Sequence, residues 1–190
     1  MHEGVDRHGV SNAVRRSERD VPVWYDLYWH FRRIPQELPA EPMTRDGLHQ
    51  MSHDHGELNR RVIAIAAQLQ QPTSAPRIVA YALVDLRELL FTHFAREEEG
   101  LFPFVADRLP DETSRVHAMA VAHDTICGAL SRACHLASSD GEMAQLRAIF
   151  ERFQEAYAAH ARAEADLLET LGTKLDVGAR EQLAAIVERL

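Results

Sequence analysis

The chain has 190 residues, 46% of them hydrophobic, and a net charge of −8. That length accommodates one ordinary domain with a full core, and the acidic balance argues against nucleic acid or an anionic membrane surface as partners. No apolar run approaches the roughly 20 residues of a membrane-spanning helix, and two cysteines, Cys127 and Cys134, are too few for a disulfide framework.

Residues 1–20 are polar, mix arginines with acids and show no period, which predicts a disordered leader. The first residues lack the apolar stretch of a signal peptide, so a cytoplasmic location is expected. Residues 21–34 carry five aromatics, including Trp24 and Trp29. They predict a short helix or strap packed on the domain or, in a homodimer, on a second copy. His30 lies here, a candidate further ligand set against a surface or packing histidine. Pro35, Pro39 and Pro42 then make an extended linker, so residues 21–42 stand apart from the helical region that begins at residue 43.

The first long helix is expected from Met43–Thr44 to about Gln71. At about 100° per residue, Leu58, Val62, Ala66 and Leu69 share a stripe with His55, while His49 and His53 turn to water. That i,i+4 pair is a candidate surface metal site, weighed against two solvated histidines. Pro72 to Pro76 make a turn, and Pro76 suits a first helical turn. The second helix runs from Pro76 to about Pro103, which should kink or end it. Val79, Leu83, Leu86, Leu90 and Leu101 share a face with His93 and Glu97; Glu98 and Glu99 point to solvent.

Leu109–Asp111 is a turn, with an N-cap expected at Asp111 or Thr113. The third helix reaches about Ala137, with Val116, Met119, Ile126, Leu130 and Cys134 on the face of His123, and His117 and His135 exposed at its flanks. Cys127 and Cys134 lie about 10 Å apart along that helix and cannot bond to each other. Ser138–Gly141 is a turn. The fourth helix runs to about Leu171, with Gly172 as its C-cap, and places Leu146, Phe153, Tyr157, Leu167 and Leu171 with His160 and Glu164. A short fifth helix, about Val177–Leu190, closes the chain and should pack on the bundle, giving a domain of residues 43–172 followed by 173–190.

The expected fold is therefore all-α: an up-down-up-down four-helix bundle with an N-terminal aromatic extension. Counted from one shared end, His55, His93, His123 and His160 all lie roughly 15–24 Å deep. Glu97 and Glu164 follow their histidines by four residues, hence on the same helix face. Buried imidazoles and carboxylates this close are costly unless something binds them. Nitrogen and oxygen donors of this kind suit iron, manganese or zinc more than calcium. Two iron ions shared by four His and two Glu would take two nitrogens each, with both carboxylates as bridges. With an oxo or hydroxo bridge each would keep a position for O2, peroxide or NO. Zinc or manganese could replace iron in a recombinant preparation. A ferritin-like site needs Glu-x-x-His and the usual zinc-protease pattern His-Glu-x-x-His; the chain has neither.

The order His55 … His93-x-x-x-Glu97 … His123 … His160-x-x-x-Glu164 resembles the hemerythrin-like, or HHE cation-binding, family over about residues 43–172. The local contexts Asp54-His55-Gly56-Glu57-Leu58, Glu97-Glu98-x-x-Leu101-Phe102-Pro103 and His123-Asp124 agree. The resemblance implies a four-helix bundle with a non-haem di-iron centre that binds O2 or NO. Family members carry oxygen, sense oxygen or iron, or repair iron centres under nitrosative stress. The oxygen carriers place a second histidine where this chain has Cys127, and an Asp one position beyond Glu164. The four-His, two-Glu set is more similar to the bacterial repair proteins. Cys127 is read as a small apolar filler, against the alternative of a redox-active thiol. Two other functions compete with a di-iron sensor or store: an enzyme using the same site for peroxide breakdown, NO reduction or iron-centre repair, and a metal-free helical interaction module.

Overall fold

The structure, a computed structural model, describes residues 47–190, with side chains from Asp54 onward. The leader, the aromatic strap with His30 and its homodimer contact, the proline linker, the start of the first helix and the side chains of His49 and His53 lie outside the described residues.

The described chain is all-α. Helix α1 spans Gly47–Leu69, α2 Pro76–Arg96, α3 Phe102–Arg108, α4 Thr113–Ser138, α5 Met143–Lys174 and α6 Val177–Val187. A π-helical turn, Glu97–Leu101, joins α2 to α3, and a 3-10 turn, Pro110–Glu112, leads into α4. Helix α1 packs beside α2, α2 beside α4, α4 beside α5, and α5 returns to α1. Short connections make successive long helices antiparallel, the bundle that the periodicity predicts. No helix among the described residues is long and apolar enough to cross a membrane.

The apolar stripes pack into two clusters. One joins Leu58, Ile65, Leu83, Leu90, Ile126, Leu130, Phe150 and Phe153. The other joins Leu101, Phe102, Val105, Val116, Leu167 and Leu171 to Leu183 and Val187 of α6. Along the chain the polar residues fall between the two: His93 and Glu97 between Leu90 and Leu101, His123 between Met119 and Ile126, and His160 and Glu164 between Tyr157 and Leu167.

Several element boundaries differ from expectation, each for a local reason. Helix α1 stops at Leu69, short of Gln71, where Arg147 Nε of α5 donates to the Leu69 carbonyl at 2.7 Å. Pro103 neither ends nor kinks the helix at its own position. The break comes earlier, in the π turn, where the Phe102 N–H reaches back to the Glu97 carbonyl. Pro103 then falls in the first turn of α3, where its missing N–H is tolerated. Neither Asp111 nor Thr113 caps α4. Glu112 takes the N-cap position with no side-chain cap bond, and its carboxylate accepts from Lys174 Nζ at 2.7 Å instead. Gly172 is not a C-cap, because α5 continues to Lys174. That extension brings Lys174 to Glu112 and sets a cation in the last turn, where the helix dipole favours one.

The turn after α4 uses Asp140 in the left-handed region (φ 58°) and a 2.8 Å bond from the Gly141 N–H to the Leu136 carbonyl. A Cβ at Gly141 would stand 2.8 Å from Leu136 Cδ2 and 3.1 Å from the Leu136 carbonyl oxygen, so any larger residue there must displace the Leu136 side chain and crowd its backbone. Helix α6 starts at Asp176, whose Oδ1 accepts from the Ala179 N–H at 2.8 Å, and ends at Val187 rather than Leu190. It lies against α1 and the π turn. Gly100 makes that approach possible: a Cβ there would be 3.0 Å from Leu190 Cδ1 and 3.3 Å from Ile186 Cγ2.

Candidate metal centre

Helix α1 supplies His55, α2 supplies His93, the π turn Glu97, α4 His123, and α5 both His160 and Glu164. All six are buried; the most accessible, His55, is 5% exposed. They form two groups, His55–His93–Glu164 and Glu97–His123–His160, in each of which one ligand atom per residue lies within 4.8 Å of the others. The structure therefore brings together all six residues singled out in the sequence.

The two carboxylates link the groups. Glu164 Oε2 stands 2.6 Å from His55 Nε2, 3.6 Å from His93 Nε2 and 3.6 Å from His160 Nε2. Glu97 Oε2 stands 3.0 Å from His123 Nε2 and 3.5 Å from His160 Nε2, while its Oε1 is 3.8 Å from His93 Nε2. His55 and His93 face each other with their Nε2 atoms 3.1 Å apart.

Apart from the His55–His93 contact, proximity among these six residues does not amount to hydrogen bonding. Ten buried side-chain nitrogen or oxygen atoms among the described residues lack a hydrogen-bond partner, and eight of them belong to His93, Glu97, His123, His160 and Glu164. Both oxygens of each glutamate are among them. Native cores rarely leave buried polar atoms unpaired. Six of the eight, the glutamate oxygens and Nε2 of His123 and His160, fit a cation, which takes lone pairs directly and without hydrogens; Nδ1 of His93 and of His160 lie on the far side of rings whose Nε2 faces the carboxylates.

Burial sets the protonation of the metal-free cluster. It lowers the pKa of His93, and it lowers that of His160 to about 4. Burial would lower His55 too, but the negative charge of Glu164, 2.6 Å away, outweighs it and raises the value. Glu97 is raised well above the usual carboxylate range by burial and by the charge of Glu164. Burial pushes Glu164 in the same direction, yet His55 and His93 hold it well below that range. One carboxylate is thus compensated by an imidazolium and the other is favoured in its neutral, protonated form.

The surroundings hold three features that the sequence did not disclose. Phe94 stacks on His123, with ring centroids 3.6 Å apart and planes 7° from parallel, and meets His160 edge-on at 5.1 Å. Arg96 Nη1 donates to Oδ2 of buried Asp54, next to His55, at 2.7 Å. Glu98, expected to face solvent, is half-exposed, but its Oε1 lies 2.6 Å from His123 Nδ1. Glu98 lies within the π turn, and from there its side chain reaches α4. Only the run Glu97-Glu98-Glu99 ahead of Pro103 offered a hint. His117 and His135 are exposed, as expected. Cys127 is partly buried beside the apolar cluster. Burial and the charges of Glu98 and Asp124 push its thiol up to about 11, which favours the filler reading over a reactive thiolate.

A helical bundle with two buried His/Glu groups able to hold cations is a metal-binding bundle. Residues 46–171, well over half of the chain, match the family model described as the hemerythrin HHE cation binding domain. The chain belongs to that family and is a metal-binding, hemerythrin-like protein. No curated protein and no solved structure matches it.

Proposed function

We propose that this is a non-haem di-iron protein that binds or responds to O2, peroxide or NO, or handles iron under oxidative or nitrosative stress. His55, His93, His123 and His160 are the terminal ligands in this reading, and Glu97 and Glu164 bridge two ions. The observation that carries it is the layer of unpaired buried nitrogen and oxygen atoms, all on residues of the two linked groups. Their donor chemistry fits iron, with zinc or manganese as substitutes in a recombinant preparation. Iron bound there would supply redox chemistry and a position for a small diatomic ligand or peroxide. The chain's own residues hold it, keep bulk water out and, through Phe94 and Glu98, aim His123.

The test is the iron-to-protein ratio with an absorption spectrum before and after adding O2 and NO. Two irons per chain with spectral change on ligand addition support the proposal. Binding without turnover favours a sensor or store; steady consumption of peroxide or NO moves the reading to an enzyme. A preparation free of iron and zinc with unchanged folding contradicts it in favour of a metal-free interaction module.

A further inference from the structure

The two groups are not equivalent. His123 is the more restrained imidazole: its Nδ1–H donates to Glu98 Oε1 at 2.6 Å, and Phe94 lies flat on its ring. A proton on Nδ1 leaves the lone pair on Nε2, which is buried, without a hydrogen bond and 3.0 Å from Glu97 Oε2. The Nδ1 atoms of His93 and His160 are buried with no partner, so nothing comparable fixes their tautomers. In the other group the carboxylate sits closer to its imidazole: Glu164 Oε2 is 2.6 Å from His55 Nε2, against 3.0 Å between Glu97 Oε2 and His123 Nε2. A carboxylate on the far nitrogen of a metal-binding histidine orients the ring and raises its basicity.

We propose that Glu98 is a positioning residue that makes the two metal positions unequal, so that the Glu97–His123–His160 position fills first. This rests on the assignment of the six residues as ligands. It adds Glu98, which contacts no metal in this reading, as the residue that sets the order of loading. Because Glu98 is half-exposed, replacing it does not open a hole in the core.

The test is titration of the metal-free, full-length chain with cobalt(II) alone, followed by visible absorption, with circular dichroism to check folding. The wild type should bind two equivalents in two resolved steps. Glu98→Ala should weaken the first step by about 10–100-fold and leave the second in place. Glu98→Gln, which keeps an acceptor for the Nδ1–H but loses the charge, should fall between. Glu99→Ala, its exposed neighbour, should change neither step, and His160→Ala should remove the first. Two identical steps in the wild type, or a Glu98→Ala variant that weakens both steps equally or neither, overturn the order of loading while leaving the ligand assignment intact. A wild type that takes up no cobalt overturns the ligand assignment and this proposal with it.

Discussion

Phe94 and His123 lie face to face, with ring centroids 3.6 Å apart and an interplanar angle of 7°. Phe94 precedes the π turn on α2 and His123 sits midway along α4, so this stack joins two helices at the level of the cluster. Phe94→Leu keeps most of the volume and loses the stacked face. Aromatic pairs contribute about 0.5–1.5 kcal/mol beyond their buried area. We therefore expect the metal-free variant to lose about 1 kcal/mol in urea unfolding, and its metal to dissociate faster. A variant as stable as the wild type would mean that the stack is incidental.

Acid should destabilise the metal-free protein before its carboxylates titrate. An unfolded histidine takes up a proton near pH 6.5, whereas folded His160 holds out to about 4. Between those values the unfolded state binds more protons, so stability falls as the pH drops through that window. His160 alone represents on the order of 3 kcal/mol across it. His93, also lowered, adds in the same sense. Glu97, raised, works in the opposite sense, because the folded state holds its proton where the unfolded chain has lost it. His55, raised, acts mainly above this window and Glu164, lowered, mainly below it, so within it two imidazoles stand against one carboxyl and leave a net loss. Urea midpoints at pH 6.5, 5.5 and 4.5 should decrease in that order, and a flat or rising series contradicts the burial of neutral imidazoles.

Gly100 marks the close approach of α6 to the π turn. Leucine there would drive its Cβ and everything beyond it into Leu190 and into Ile186, whose branched Cβ yields little. Overpacking of this kind costs about 1–3 kcal/mol. We expect Gly100→Leu to lower the melting temperature and expose the chain after Lys174 to proteolysis. Resistance equal to the wild type would show that α6 is not held at this point.

Tyr157 is fully buried next to the cluster, and its hydroxyl donates to Asn59 Oδ1 at 3.1 Å. Tyr157→Phe should cost about 1 kcal/mol, the worth of one such bond, with metal stoichiometry unchanged. Loss of metal in this variant would give Tyr157 a role that its contacts do not suggest.

Much of this architecture was legible from apolar spacing. The stripes that include Leu83, Leu90, Ile126 and Phe153 are regular, and each carries its histidine inward, so the convergence of four helices followed from depth alone. What escaped were departures from regular helix. The π turn adds a residue without altering composition, and with it came the orientation of Glu98, the early break before Pro103 and the close approach at Gly100. Gly172 was misleading because the helix runs on past it to Lys174, which meets Glu112, a residue far away in the chain. The Arg96–Asp54 pair likewise joins α2 to α1, and periodicity within either helix says nothing about which charge meets which.

Six side chains from four helices and the π turn are proposed to hold metal together. Metal analysis of the purified protein beside Glu97→Ala and Glu164→Ala tests this most directly. Two ions per chain in the wild type, falling to one or none in each variant with helical content retained, is the predicted result. Metal content unchanged by either substitution, or a folded wild type that binds no iron, manganese or zinc, would contradict it.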